Sequence, residues 1–293
     1  MSSEPDWNLY RTLLAVLQEG SLSGAARRLG LTQPTIARHI EALEQAVGGD
    51  LFLRTPRGLD PTDLALQLQP HAESLAATAA ALMRVATGVG GDVRGTVRLS
   101  ASEVFGVEHL PPVLAALRQR HPELVVELVL SNSVDDLLRR ESDIAVRNVE
   151  PTQDALIARK LPSITLGLHA HRQYLKRRGV PASIADLANH DVIGFDRETP
   201  AIRALLERFP AITRSMFALR ADSDLAQLAA IRSGFGIGIC QVPIARRDHN
   251  LVRVLEHDVD MELGVWLAMH ENLRDSARCR ALFDALVSGL GVL

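Results

Sequence analysis

The sequence predicts an α/β protein in three parts: an all-α N-terminal domain, a linker helix, and a larger α/β domain of two lobes. Short helical segments with polar faces come first, alanine and leucine are then dense in residues 64–86, and apolar β-like runs alternate with helical stretches from Gly95 onward. This last alternation is typical of a parallel sheet. We therefore predict domains at 1–61, 62–91 and 92–293, with lobe I at about 92–163 and 265–293 and lobe II at about 164–264.

Composition fits a cytosolic protein of more than one domain. The chain has 293 residues, of which 47% are hydrophobic and only 4% aromatic, and its net charge is -3. Its two cysteines, Cys240 and Cys279, form no C-x-x-C pair and cannot build a disulfide framework. The first seven residues carry acids and no apolar run, and no apolar stretch approaches the about 20 residues of a membrane span. We expect a cytoplasmic location.

Three helices are predicted in the N-terminal domain. The first runs from Trp7 to Glu19 and ends at a glycine. The second covers Gly24–Leu29 with Ser23 as its cap, and the third covers Gln33–Val47 with Thr32 as its cap. A proline in the first turn of the third helix loses nothing, because that N–H has no helical partner.

The third helix has two distinct faces. Its buried stripe follows i, i+4, i+7, i+11 spacing and comprises Ile36, Ile40, Leu43 and Val47. The opposite face presents Thr35, Arg38, His39 and Ala42. A short helix, a tight glycine turn and a second helix with a polar outer face form the helix-turn-helix pattern. Two short apolar runs around Thr55-Pro56-Arg57 then predict a β-hairpin wing that carries Arg54 and Arg57.

Residues 62–87 predict a long helix with a heptad seam. The seam alternates large and small side chains: Leu68, Ala72, Leu75, Ala79, Leu82 and Ala86. Pro70 is expected to kink this helix or to start a new one. The seam could pack on its own chain, but we favour dimerisation, because two short helices alone cannot bury it.

The α/β part predicts strands and helices in turn. From Gly95 these are a strand at Thr96–Ser100, a helix at Val104–Arg120, a buried strand at Leu124–Leu130, a short helix at Val134–Arg140 and a strand at Asp143–Val146. A second alternating set runs from Ser163 to Gln241, and the chain closes with a strand at Gly264–Met269 and a helix at Arg278–Leu286.

Residues 20–58 closely resemble the DNA-binding segment of LysR-type regulators. The matching positions are Gly20-Ser21, Ala25-Ala26, Leu29, Thr32-Gln33-Pro34, Arg38, Ile40, Leu43-Glu44, Gly48, Leu51-Phe52 and Arg54. The resemblance continues more weakly through Leu110-Pro111-Pro112, residues 143–147 and residues 234–237. It implies a winged helix-turn-helix, a dimerising linker helix, an effector domain resembling periplasmic binding proteins, and a homotetramer. Two positions depart from the family pattern: Ala37 replaces a frequent serine, and Ala65 replaces a usual glycine.

The third helix carries the side chains that reading a major groove requires. Arg38 can pair with guanine, Gln33 can pair with adenine, and Thr35 can meet a thymine methyl or a phosphate. We predict DNA contacts for Ser23, Thr32, Gln33, Pro34, Thr35, Arg38, His39, Arg54 and Arg57. The alternative is a solvated helix face with scattered arginines, which the weak net charge of residues 1–60 would favour.

Hydroxyl side chains at predicted strand ends indicate a ligand cleft. Ligands of two-lobed α/β folds bind at such ends, and helix N-termini there attract anions. Together with the resemblance, this predicts a small effector, which could be an anion, bordered by Ser102, Ser131, Ser133, Arg147, Phe195 and Ser223. Each serine could instead merely cap a helix.

Other sequence patterns give weaker evidence about function. Gly234–Gly238 lacks dinucleotide-loop spacing, and His169 and His171 have no local ligand to complete a metal site, so we predict no cofactor and no metal. The sequence shows no arrangement of a nucleophile, a base and an acid, and we predict that the protein is not an enzyme. The alternatives are a two-lobed binding protein or small α/β enzyme without DNA binding, and a structural nucleoid protein; all leave either the first 60 residues or the cleft unexplained.

Overall fold

The computed structural model describes residues 5–55, 58–87, 92–132, 142–151 and 156–291. The chain divides into two compact units, an N-terminal unit ending at Ala86 and a C-terminal unit beginning at Thr87. Each unit has its own hydrophobic core. The predicted boundary near residue 91 lies outside the described residues, so the exact domain limits stay a prediction.

The N-terminal unit contains four helices and one hairpin. In order they are α1 Trp7–Glu19, α2 Leu22–Leu29, α3 Gln33–Val47, β1 Phe52–Thr55, β2 Gly58–Pro61 and α4 Asp63–Thr87. The predicted stripe of α3 is buried, since Ile36 and Leu43 are fully inaccessible and Ile40 nearly so. These side chains pack against α1 and α2, which leaves the other face of α3 for solvent.

Helix α4 is one uninterrupted helix of 25 residues. Pro70 lies inside it, so the expectation that a new helix starts there is wrong. The seam has two different environments within this unit. Ala72 is buried and Leu68 half-buried against the core of α1 and α3, whereas Leu75 and Leu82 are 47% and 66% exposed. Leu75 and Leu82 are therefore accessible to a partner.

The C-terminal unit is an α/β structure. Its strands are β3 Gly95–Ala101, β4 Leu124–Leu130, β5 Ile144–Arg147, β6 Leu156–His171, β7 Val192–Gly194, β8 Phe217–Arg220, β9 Ile237–Gln241, β10 Leu251–Val254 and β11 Met261–His270. Its α-helices are α5 Leu110–Arg120, α6 Arg172–Arg178, α7 Pro200–Glu207, α8 Asp224–Arg232, α9 Val242–Ala245 and α10 Ala277–Leu290. A π-helical turn, Phe105–His109, leads into α5. The predicted helix at Val134–Arg140 lies outside the described residues.

The sheet is mixed, which corrects the predicted parallel arrangement. Its order is β4-β3-β5-β11-β6-β9-β7-β8, with β10 also pairing with β6. The β3–β4, β3–β5, β7–β8 and β7–β9 pairs are parallel, but β11 is antiparallel to both β5 and β6. Strand alternation alone could not show that the last strand returns between the two halves and runs the other way.

Two long strands connect two separate cores. One core surrounds β3, β5 and α10, and another surrounds β7, β9 and β10; we call these regions lobe I and lobe II. Strands β6 and β11 pair along most of their length and contribute side chains to both. Their register shifts between Leu263 and Val265, where Gly264 forms a bulge. A bulge bends a strand locally, and this one lies between the stretches of β11 that pack in lobe I and in lobe II.

Strand β4 is predicted correctly in position but wrongly as a buried strand. It lies at the edge of the sheet, and Val125 and Leu130 are 51% and 41% exposed. A continuous apolar run fits a buried strand and an edge strand with one uncovered face equally well, because the run itself does not specify how many faces are covered.

Candidate DNA-binding surface and effector cavity

The outward face of α3 carries the predicted groove-reading side chains. Gln33 and Arg38 are exposed, and neither makes a hydrogen bond or ion pair with any residue the structure describes. Thr35 is half-buried at the same end of the helix. Because Ile36 and Ile40 fix the opposite face in the core, these side chains are held on a rigid support. The arrangement suits contacts with base edges in a major groove.

The N-terminus of α3 is capped as predicted. The Thr32 hydroxyl accepts from the Thr35 amide at 3.4 Å and lies 2.8 Å from the Thr35 hydroxyl. Pro34 occupies the first turn and is exposed. This network orders the turn that leads the helix, so the two hydroxyls are available together at a helix N-terminus, where a phosphate is stabilised.

His39 does not lie wholly on the open face that the sequence predicted. Its ring is half-buried, and Nδ1 lies 2.9 Å from the Thr12 hydroxyl, which itself donates to the Asn8 carbonyl. The Nδ1–H therefore donates to Thr12 and ties α3 to α1. Only Nε2 is left for DNA. The predicted position of His39 is opposite the core stripe, but His39 lies three residues after Ile36 and four before Leu43. Residues at these spacings are neighbours on a helix surface, so His39 lies at the edge of the stripe, beside α1.

The cap of α2 is Ser21, which corrects the predicted cap at Ser23. The Ser21 hydroxyl accepts from the Gly24 amide at 3.1 Å, while Ser23 lies one residue inside the helix and is exposed. A Cβ at Gly24 would lie only 2.8 Å from Glu19 Cβ, so the close approach of α1 requires glycine here. The helix N-terminus still lies next to Ser23.

The wing is an antiparallel hairpin held against the end of α1. Arg54 pairs with Leu59 across the hairpin, and its side chain is exposed. Gly58 adopts a positive φ of 136°, and a Cβ there would lie 2.8 Å from the Gly20 carbonyl, which accepts from the Leu59 amide at 3.1 Å. Arg57 lies outside the described residues. The structure thus positions one of the two predicted wing arginines.

A second candidate site is a cavity of about 190 Å³ between lobes I and II. Most of the lining is apolar, with eight aliphatic or aromatic side chains and Cys240 among the described residues. The described polar lining is Ser102, Asn148, Asp224, Gln227 and Gln241. Few polar groups in a largely apolar concavity are typical of a small-molecule site.

The structure brings only part of the predicted effector set to this cavity. Ser102 and Phe195 line it. Ser223 lies one residue before the lining Asp224, and its hydroxyl donates to Glu103 Oε2 at 2.9 Å. Ser131 follows β4 and is not in the lining, and Ser133 lies outside the described residues. Asn148, Gln227 and Gln241 line the cavity but were not singled out in the sequence, because no local pattern distinguishes an amide that faces a cavity.

Arg147 is buried in lobe I and does not line the cavity. Its guanidinium donates to the Ser100 hydroxyl at 2.6 Å and to the Val146 carbonyl at 2.9 Å. Only 4% of the residue is exposed. Its place at the end of a strand suggested a ligand contact, but the guanidinium is buried and bonds to Ser100 of the neighbouring strand β3. No sequence pattern indicated this bond.

A network of charged and polar groups joins the lobes beside the cavity. Arg232 of α8 donates to both carboxylate oxygens of Glu108, at 2.6 and 3.0 Å. Arg247 donates to the Glu108 carbonyl at 2.8 Å and to His109 Nδ1 at 3.3 Å, so His109 donates from Nε2 to Gln241 Oε1 at 2.7 Å. Burial lowers the pKa of His109 despite the hydrogen bond to Gln241. The network thus extends from the lobe surface to a cavity-lining side chain.

His169 and Cys240, residue types found in metal and redox centres, are both buried. No group of three potential metal ligands occurs among the described residues. His169 is buried, and its Nδ1–H donates to the Gly167 carbonyl at 2.9 Å; burial lowers its pKa to about 4. Burial raises the pKa of Cys240 to about 12, which keeps it a thiol.

In the described part of the chain, no helix has the length and apolarity to cross a membrane.

Comparison with known proteins finds one family match in each part of the chain. The family described as LysR substrate binding domain matches residues 90–291, and that described as bacterial regulatory helix-turn-helix protein, lysR family, matches residues 7–66. The chain is 27% identical over 291 residues to the "Probable HTH-type transcriptional regulator LtrA" of Klebsiella pneumoniae, covering 96% of this chain and 93% of the relative. It is 29% identical over 180 residues to the regulator CrgA of Neisseria meningitidis, covering 61% of this chain and 60% of the relative.

Solved structures share the fold over nearly the whole chain. CrgA of Neisseria meningitidis, a LysR-type regulator, superposes with a TM-score of 0.60 at 24% identity and covers 98% of this chain and 100% of its own. CbnR in complex with its target DNA gives 0.66 at 21% identity, covering 97% and 99%. LysR-type proteins are transcriptional regulators and not enzymes; they bind DNA and small-molecule effectors and form oligomers. Since the two family matches together span almost the entire sequence, the chain belongs to the LysR family of transcriptional regulators.

Proposed function

We propose that this regulator reads its operator with the exposed face of α3 and senses an effector in the cavity between lobes I and II. The observation that carries the first half is the pair Gln33 and Arg38, which are exposed on a helix whose other side is locked in the core. Arg38 supplies a guanine contact and Gln33 an adenine contact, each of about 1–3 kcal/mol. Thr32, Thr35 and Arg54 bind phosphates.

A ligand in the cavity would act on the arrangement of the two lobes. Cavity-lining side chains come from lobe I at Ser102 and Asn148 and from lobe II at Phe195 and Gln227, so a ligand there contacts both lobes. The Asn148 amide donates to the carbonyl of Gly264, the bulge of β11, at 3.1 Å. A ligand that engages Asn148 therefore acts on the bend between the lobes and shifts the population of lobe arrangements.

Helix α4 supplies the dimer contact. Leu75, Ala79 and Leu82 lie on one face at heptad spacing, and the two leucines are exposed in the monomer. Pairing two copies of this helix buries that face. Assembly of two such dimers into a tetramer would give paired operator contacts. We infer a cytoplasmic location, which DNA as the partner supports.

The predicted anionic character of the effector gains no support from the cavity. Among the described lining residues the only charged side chain is the acidic Asp224. Arg147, the cation that the prediction relied on, bonds instead to Ser100.

Fluorescence anisotropy with the chain's own upstream DNA tests the DNA half. We expect a Gln33→Ala/Arg38→Ala variant to bind that DNA at least about thirtyfold more weakly, because two base contacts are lost. Arg246→Ala, which removes an exposed arginine of the C-terminal unit, is the charge-matched control and should bind normally. Binding of the double variant at parental strength would refute the proposed surface.

Sedimentation of the full chain tests the dimer contact. We expect Leu75→Glu/Leu82→Glu to dissociate the dimer, because four charges would face one another across the seam. Ala80→Glu adds charge at an exposed position outside the seam of the same helix and should leave the assembly unchanged. An unchanged mass for the leucine variant would exclude this seam as the interface.

A further inference from the structure

The carboxylate of Asp224 lacks a partner in the described part of the protein. It lines the cavity and is only partly accessible, yet it makes no hydrogen bond or ion pair with a described residue. Burial raises the pKa of Asp224, and the nearby Glu103 raises it further. An acid at a helix N-terminus is favourable in itself, but that does not explain why it is withdrawn from water. A partly buried carboxylate of this kind calls for a donor or a cation.

The amides around Asp224 also present acceptors to the cavity. The Gln227 side-chain nitrogen donates to the Ala221 carbonyl at 2.7 Å, and that of Asn148 donates to the Gly264 carbonyl at 3.1 Å. These bonds fix which end of each amide is nitrogen. No described residue donates to the two amide oxygens that remain, so a ligand would meet acceptors there.

The helix end that could have attracted an anion is already occupied by acids of the chain itself. Ser223 caps α8 and donates to the Glu103 carboxylate at 2.9 Å, and Asp224 is the first residue of the helix. A ligand carboxylate placed here would stand against two negative charges. Like charges that lie close together repel strongly in a partly buried site.

A second, apolar space lies next to the cavity. A smaller void of about 40 Å³ shares Phe195, Leu205 and Ile239 with it. It extends between α7 and the strands of lobe II, where Leu206 lines it but does not line the main cavity. In the described lining of this void every side chain but Gln227 is apolar. Such a space accepts a short hydrocarbon tail.

We propose that the effector is a small amphipathic primary amine in its ammonium form. This inference rests on the proposed effector cavity and names its ligand class. The ammonium group binds Asp224 and donates to the oxygens of Asn148 and Gln227. The tail lies on Phe195 and Leu205 and points toward Leu206. The total space of the two voids is below the roughly 300 Å³ at which drug-sized pockets begin, so the ligand is small.

Calorimetry with matched probes tests the head group. Hexylamine, hexanamide and hexanoate have nearly the same size and differ in charge. With the full-length protein at pH 7.5 we expect hexylamine to bind at least tenfold more tightly than hexanoate, with hexanamide between them. Asp224→Asn should weaken hexylamine at least tenfold and remove the preference. Asp258→Asn, which removes an exposed carboxylate of lobe II, is the charge-matched control and should bind like the parent.

Chain length tests the tail. Affinity should rise by up to about fourfold per methylene from propylamine to hexylamine as the tail fills the void. Leu206→Phe should reduce hexylamine binding and leave propylamine binding unchanged, because the added ring fills only the far void. A flat chain-length series would place the ligand elsewhere.

The outcomes separate this inference from the proposed function. Operator binding measured on the same samples without a probe reports the DNA surface, and a normal value together with no binding of any amine overturns the amine proposal alone. Tighter binding of hexanoate or hexanamide than of hexylamine also overturns it while leaving the cavity as the effector site. Amine binding that is unchanged in Asp224→Asn overturns it as well.

Discussion

The DNA-binding face of α3 and the cavity between the lobes use polar side chains in opposite ways. On α3 the polar groups Gln33 and Arg38 are exposed and make no bonds within the described protein, while the structure behind them is apolar and fully packed. Around the cavity, Asn148, Gln227 and Gln241 are already bonded within the protein and hold its shape. A substitution on α3 should therefore affect binding alone, whereas one around the cavity should affect stability too.

The largest effect expected is on DNA binding without an effect on folding. Arg38→Glu removes a base contact and places a negative charge near phosphates, so operator affinity should fall a hundredfold or more. The free energy of unfolding should stay within about 0.5 kcal/mol of the parent, because the side chain is exposed and makes no bond with a described residue. Anisotropy and denaturant unfolding on one preparation check both halves, and a matching loss of stability would break the comparison.

Acid should destabilise lobe II through His169. The unfolded histidine titrates near pH 6.5, while burial lowers the folded pKa to about 4, so the unfolded state binds more protons between these values. The free energy of unfolding therefore has its full value above pH 6.5 and decreases as the pH falls toward 4. At pH 5 it should be about 2 kcal/mol lower than at neutral pH. Unfolding measured from pH 7.5 to pH 5 checks this, and His169→Gln should flatten the profile. An equally steep profile in that variant would assign the effect to other groups.

Breaking the ion pair between Arg232 and Glu108, which joins the lobes, should lower the free energy of unfolding by less than acid does. Arg232→Gln removes the bidentate pair with Glu108 and should lower the free energy of unfolding by about 1 kcal/mol, since the arginine is still 37% exposed and partly screened. Arg280→Gln, whose partner Asp275 is 98% exposed, is the control and should change it by a few tenths of a kcal/mol at most. Equal effects of the two variants would show that the bridge does not hold the lobes.

The smallest effect expected is a change of salt dependence. Arg54→Ala removes one phosphate contact of the wing, so the slope of log affinity against log salt should fall by about 1, with little change in base preference. Titrations with operator and unrelated DNA over a range of salt concentrations check it. A loss confined to the operator would instead make Arg54 a base-reading residue.

Local patterns predicted the N-terminal unit well. Helix α3 has the predicted bounds, because a cap at Thr32, an apolar stripe and a terminal glycine are all short-range features. The helices themselves were predicted, and the errors concern individual side-chain contacts. Ser21 and not Ser23 caps α2, and His39 bonds to Thr12. Both depend on how α1 packs against its neighbours.

Patterns predicted much less of the cavity. Ser102 and Phe195 line it, but Arg147 is buried and bonds to Ser100, and the amides and Asp224 were not foreseen as lining. The cavity is assembled from residues far apart in the chain, from Ser102 to Leu263. Which side chains face the cavity depends on the order of the strands in the sheet. That order cannot be predicted from any short stretch of neighbouring residues.

The sequence by itself determined that a helix-turn-helix with an exposed Gln33 and Arg38 precedes a long helix and an α/β domain, because helix caps and apolar periodicity act over a few residues. Only the tertiary structure decided that β11 returns between β5 and β6, that Arg147 is enclosed, and that Asp224 faces the cavity. The physical reason is burial: it is a property of several distant segments packed together, and it decides which charges remain for a ligand.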